Sequence, residues 1–298
     1  MKRLISANSS EVLAMTTQEL KTAIKASEGR VVLSENVVVR ETFVGDVTNA
    51  EIAKAYGADL ILLNSLDVFD PQIQGLGVET DNVVATLHQL VGAPIGVNLE
   101  PVDKEPSMLE EQLVIASGRK ASRETFQRIE ELGFDFVCLT GNPATGVSNR
   151  AILDAIRLAK EVFSGLIIAG KMHGSGVDEP VASLESVAAF VEAGADILLV
   201  PAVGTVPGFT EAEMLEVVRL VHQKGGLVMS TIGTSQETSD VDTVKQIAIR
   251  NKICGVDIQH IGDAGYGGLA VVENIYALGL AIRGIRHTAS RMARSINR

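Results

Sequence analysis

Gly57-Ala-Asp59-Leu-Ile-Leu, Gly133-Phe-Asp135-Phe-Val-Cys, Gly194-Ala-Asp196-Ile-Leu-Leu and Gly255-Val-Asp257-Ile-Gln-His are four copies of one signal. Each closes an amphipathic stretch. The glycine suits the left-handed residue that ends a helix, and the apolar run after the aspartate suits a short strand buried on both faces, as in a parallel sheet. The aspartates lie 76, 61 and 61 residues apart. A strand–helix unit takes roughly 30 residues, so each interval holds two units.

A second series of apolar runs fills the gaps: Val31 to Leu33, Ile95 to Val97, Leu166 to Ile168 and Leu227 to Met229. Helical patterns separate the runs over Thr48 to Tyr56, Arg123 to Leu132, Arg150 to Val162, Ser183 to Ala193, Glu211 to His222 and Thr243 to Asn251. Several begin at Thr, Ser or Asn, the residues that cap helix N-termini. Eight alternating units with right-handed crossovers predict a single (β/α)8 TIM barrel over 1–298, with an open doubly wound sheet as the alternative. Residues 1–28 precede the first strand, and their helical stretch around Gln18 to Ala26 predicts a capping helix over the N-terminal end. The segment from Glu100 to Lys120 is longer than an ordinary strand-to-helix loop and is a candidate lid.

Composition bounds the function. With 46% hydrophobic and 21% charged residues the chain can build a large core, and a net charge of −11 argues against general nucleic-acid binding. No run of about 18 apolar residues and no leader-like segment is evident, so no membrane association and a cytoplasmic location are expected. Cys138 and Cys254 sit in apolar runs without metal or redox spacing and read as core residues. Residues 283–298 form a basic helix or tail carrying Arg283, Arg286, Arg291, Arg294 and Arg298. It reads as a solvated face, a subunit contact or an anion-binding surface. Together with the apolar stretch Val271 to Ile282 it predicts a homo-oligomer.

In such barrels the loops after the strands carry the chemistry. Two glycine-bearing turns follow the last two strands, Ile232-Gly-Thr-Ser235 and Ile261-Gly-Asp-Ala-Gly-Tyr-Gly-Gly268. Exposed backbone amides beside a helix N-terminus attract phosphate, so Gly233, Thr234, Ser235, Gly262, Gly265 and Gly267 are candidate phosphate ligands, with Asn98 and Asn142 beside them. Gly165 to Lys171 spells most of a P-loop, but its middle is a strand interior and Met172 replaces the needed Ser or Thr. What remains is Lys171 at a strand mouth, followed by His173. A lysine there can form a Schiff base, act as a base or hold an anion. Glu100 and Glu35 end the third and first strands, so Lys171, Glu100 and His173 are the candidate catalytic set. Glu35 and Glu100 are the candidate ligands should a divalent cation be used. His260 is read as lumen-facing or as a satisfied core histidine.

Pro94-Ile-Gly-Val-Asn98, Thr140-Gly141 with Thr145-Gly146, and Gly174-Ser-Gly-Val177 resemble strand-end motifs of the BtpA/SgcQ-like group of bacterial phosphate-binding barrels. The matches span roughly residues 94 to 205. The resemblance implies a barrel and a phosphate-type site, and no particular reaction. The resulting expectation is a lyase or isomerase of a small phosphorylated metabolite. The alternatives are a non-catalytic barrel that senses such a metabolite and a divalent-metal-dependent barrel enzyme. No nicotinamide, flavin or pyridoxal motif is present.

Overall fold

The computed structural model describes residues 2–263 and 267–298. Eight parallel strands close in sequence order: β1 (Val31–Val37), β2 (Leu60–Asn64), β3 (Ile95–Leu99), β4 (Phe136–Leu139), β5 (Leu166–Gly170), β6 (Ile197–Pro201), β7 (Leu227–Ile232) and β8 (Ile258–Ile261). Two helices precede the barrel, α1 (Ser9–Leu13) and α2 (Thr17–Lys25). The outer ring is α3 (Asn49–Ala55), α4 (Val83–Val91), α5 (Arg123–Leu132), α6 (Asn149–Val162), α7 (Leu184–Ala193), α8 (Glu211–Gln223), α9 (Val241–Cys254) and α10 (Val272–Ala293). The chain is a (β/α)8 barrel, as the repeat predicts.

Because side chains alternate along a strand, the barrel has two apolar layers. Leu33, Leu62, Cys138, Ile168, Leu199 and Met229 point inward and pack with Leu20, Ala23 and Ile24 of α2, which plugs the N-terminal end. Their neighbours Val32, Ile61, Val137, Ile167 and Val228 point outward against the helices. The lumen is therefore apolar at the bottom. Polar residues enter it only in the last turns of the strands.

The aspartate of each repeat has one repeated task. Asp59, Asp135, Asp196 and Asp257 each donate a backbone N–H to the carbonyl of Val32, Ile95, Ile167 or Val228 respectively. In each case the carboxylate accepts the N–H of that same residue, at 2.7–3.2 Å. The even strand is thereby locked to the odd strand before it. A different cationic or imidazole group completes each lock: Arg283 and Arg291, His88, Lys21 or His222. The repeat's glycines at 57, 133, 194 and 255 all have φ between 80° and 117°, which favours glycine over any side chain.

Arg286 and Arg298 are exposed, but two of the C-terminal arginines differ from the basic face expected of them. Arg283 and Arg291 are buried and clamp Asp59 at 2.6 and 2.7 Å. Arg291 also donates to the Ala7 carbonyl, and Arg294 to Asn8. Burial raises the proton affinity of Asp59, and the two guanidiniums reverse that, leaving it below the usual carboxylate range. Likewise Val272, Ile275, Leu278 and Ile282 of α10 are buried in the barrel's own core. The apolar stretch that suggested a subunit contact is consumed within one chain. Among the described residues no helix is long and apolar enough to cross a membrane.

Candidate functional site

The strand ends surround a cavity of about 1220 Å3 at the C-terminal mouth. At its floor Glu35, near the end of β1, and His260 of β8 point inward from neighbouring strands. Glu35 Oε2 and His260 Nε2 are 2.7 Å apart, and both side chains are buried. The bond assigns the proton to Nε2, donating to the carboxylate. Glu35 lines the cavity, and among the described residues its Oε1 has no protein partner. His260 is thus lumen-facing, and it orients Glu35.

Above this pair lies a set of amides. Asn64, the last residue of β2, donates through Nδ2 to Asn142 at 2.8 Å and to Asp263 at 3.1 Å. Asn142 is held in turn by Glu100, which accepts its backbone N–H and its side-chain amide, each at 2.8 Å. Asn98 donates to the carbonyls of Cys138 and Thr140 at 2.9 and 3.2 Å, an amide orientation assigned from these partners. Asn98 and Asn142 both line the cavity, and the buried hydroxyl of Thr140 beside them has no partner.

Glu100 and Lys171 are not where the sequence reading put them. Glu100 is buried, does not line the cavity, and has both oxygens engaged, by Asn142 and by Arg119 at 2.7 Å. It is an anchor for those two residues. Lys171 follows the outward-facing alternation of Ile167 and Ala169 and is also absent from the cavity wall. Its amine lies 2.5 Å from Glu179, which also accepts the first amide of α6. Burial lowers the proton affinity of Lys171 and Glu179 opposes that. His173 does reach the cavity. Its Nδ1 accepts the N–H of Ser175 at 3.0 Å, so the neutral ring carries its proton on Nε2, and burial holds its pKa below the ordinary value.

The turns after β7 and β8 contribute Gly233, Thr234, Ser235 and Gly262 to the wall, and two of their polar groups are engaged within the protein. Gly262 donates its N–H to Ile232, and the Thr234 hydroxyl donates to the Thr205 carbonyl. A Cβ at 233 would stand 2.2 Å from the sulfur of Met172, so a larger residue there must displace that side chain. Gly267 is exposed and lies off the wall. Gly265 is outside the described residues. Glu35 and Glu100 are bonded to separate partners, His260 and Arg119, and among the described residues no group of three or more His, Cys, Asp or Glu is placed to hold a metal.

The charged cavity residues that escaped the sequence reading include Arg119, Arg40, Glu110 and Glu237. Arg119 comes from the segment expected to be a lid. That segment is laced to the loops after β4 and β5 by bonds from Asp103 to Gly146, Leu109 to Gly176 and Leu113 to Ala144. One signal marks the mouth independently. Among the described residues, four of the five non-glycine residues with positive φ (Ser65, Ala144, Ser175 and Ser235) follow β2, β4, β5 and β7. Such conformations cost on the order of 1 kcal/mol or more each and collect at working sites.

A family model described as a domain of unknown function (DUF7916) matches residues 5–298. No curated protein matches the chain. Among solved structures it is similar to 2,3-dimethylmalate lyase, a PEP mutase/isocitrate lyase superfamily member, with TM-score 0.51 and 14% identity over 85% of this chain and 83% of that one. It is also similar to a Schiff base forming fructose-1,6-bisphosphate aldolase, with TM-score 0.53 and 14% identity over 86% of this chain and 96% of that one. At that identity the likeness is one of fold. None of these findings bears on the BtpA/SgcQ-like resemblance beyond the barrel itself.

Proposed function

The chain belongs to the family of the domain of unknown function DUF7916, and from that premise we propose that it is an acid–base enzyme of the lyase or isomerase type. Its substrate is a small, hydroxylated metabolite with one anionic group, phosphate being the group expected. The observation that carries this reading is Glu35. Its carboxylate is fixed from below by His260 and has one oxygen open to a cavity, which is the arrangement a general base needs.

The charge of the wall decides the substrate class. Four carboxylates (Glu35, Asp67, Glu110 and Asp263) and the carboxyl of Glu237 line it, beside the two arginines Arg40 and Arg119. A ligand that is anionic along its whole length would be repelled by most of that surface. The anionic end therefore belongs near Arg119 and Arg40, with hydroxyls over the amides of Asn98 and Asn142. This reading moves the anion from the β7 and β8 turns to the loops after β1 and β3. Glu35 then removes a proton from carbon next to a carbonyl, while His173 donates its Nε2–H to the developing oxyanion. The two solved neighbours are a lyase and an aldolase, the same broad class, but the proposal stands on these residues.

A thermal-shift panel of sugar phosphates, phosphorylated hydroxy acids and their unphosphorylated counterparts tests the binding half. A ligand at 100 times its Kd should add about 2.7 kcal/mol of stability. Arg119→Gln, which keeps a donor for Glu100, should abolish the shift. No shift with any member, or an undiminished shift in the variant, contradicts the reading.

A further inference from the structure

Among the described residues two buried polar atoms on the inner side of the barrel have no partner: Nδ1 of His260 and Oε2 of Glu237. Burying such groups unpaired costs about 1–3 kcal/mol each, so each calls for an explanation. Glu237 and Glu35, the partner of His260, line the same cavity, and both His260 and Glu35 act electrostatically on the Glu237 carboxyl. The backbone aims Glu237 inward. Ser235, at φ 88°, starts a short 3-10 turn (Gln236–Thr238), and Asn274 of α10 pins that turn by donating to the carbonyls of Glu237 and Ser239. A charged side chain would not be turned into the barrel by a strained residue and a buried clamp without a partner there.

We propose that Glu237 is a positioning residue which donates a proton, through one bridging water, to Nδ1 of His260, completing a chain Glu237–water–His260–Glu35. One proton satisfies both orphaned atoms. With it on Glu237, the imidazole is neutral and has a single N–H, on Nε2, which is held on Glu35. The alternative, an imidazolium between two carboxylates, has the same net charge but buries three charges in place of one, at a larger desolvation cost. Burial favours the first arrangement: it raises the proton affinity of the Glu237 carboxyl, and Glu35 adds to that, against the opposing pull of its backbone bonds and of His260 when that ring is charged. The inference rests on the reading of Glu35 as a base for its catalytic meaning: the chain fixes the direction of the open Glu35 oxygen.

Nitrogen NMR of the histidine-labelled full chain at neutral pH tests the chain without any substrate, so its failure is separable from failure of the proposed activity. The chain has five histidines, and His260→Asn identifies the signal. His260 should show a protonated Nε2 and a hydrogen-bonded, unprotonated Nδ1. Glu237→Gln, whose amide can still donate, should keep that signature, whereas Glu237→Ala should lose it. Any activity found should fall on the order of 10- to 100-fold in the alanine variant and be rescued by glutamine. A doubly protonated His260, a proton on Nδ1, or an alanine variant with the wild-type signature each overturns the proposal. The wild-type spectrum alone can do so if the alanine variant fails to fold.

Discussion

Lys171 and Glu35 show how far a residue's place can be taken from its neighbours in sequence. Both sit near strand ends and both are charged. The difference is one step of alternation: Glu35 falls in phase with the inward Leu33, and Lys171 with the outward Ala169. Counting the alternation from the apolar core would have separated them, because inward and outward positions are fixed along each strand. Lys171→Met should therefore leave turnover near wild type while costing about 1–2 kcal/mol of stability through the lost bond to Glu179. Activity assays beside denaturant unfolding check this, and abolished turnover in a folded variant would return Lys171 to the mechanism. The Glu35–His260 contact was harder to read. It joins residues 225 apart, and only barrel closure brings β8 back against β1.

At the scale of elements, the four-fold aspartate lock explains why the repeat decided the fold. The spacing alone announced paired strand–helix units, and the structure supplies the reason an aspartate is kept at each even strand. The partners of those aspartates were not legible, because Arg283 and Arg291 reach Asp59 from the far end of the chain. The four locks differ in burial, and that fixes the expected costs. Asp59→Asn leaves two buried guanidiniums short of a counter-charge and should cost about 3–5 kcal/mol. Asp196→Asn keeps an acceptor for Ile167 and loses only a partly exposed pair with Lys21, so it should cost about 1 kcal/mol or less. Equal losses in urea unfolding would contradict the burial argument. The segment 100–120 was only half legible for a related reason: its length is visible in the sequence, but its bonds to two other loops are not.

For the whole molecule, the barrel's bottom is closed by α2 and the arginine clamps while its top is open, so binding and stability are divided between opposite ends. The reason first given for self-association is gone, since α10 is buried against its own barrel. Exposed apolar residues persist on the outer surfaces of two neighbouring helices, Ile249 and Ile253 on α9 and Ile285 on α10. Light scattering should give a mass above the 31.6 kDa of one chain, reduced by Ile253→Glu. A monomer at every concentration would remove the expectation.

The central claim is that Glu35 is the base of this site, and solvent exchange measures it most directly. A panel ligand that stabilises the protein is incubated with it in heavy water, and deuterium at the carbon beside the carbonyl is followed by proton NMR. The wild-type chain should incorporate deuterium, and Glu35→Gln should slow incorporation by about 100-fold or more while the ligand still raises its melting temperature. Exchange at the wild-type rate in Glu35→Gln would contradict the account.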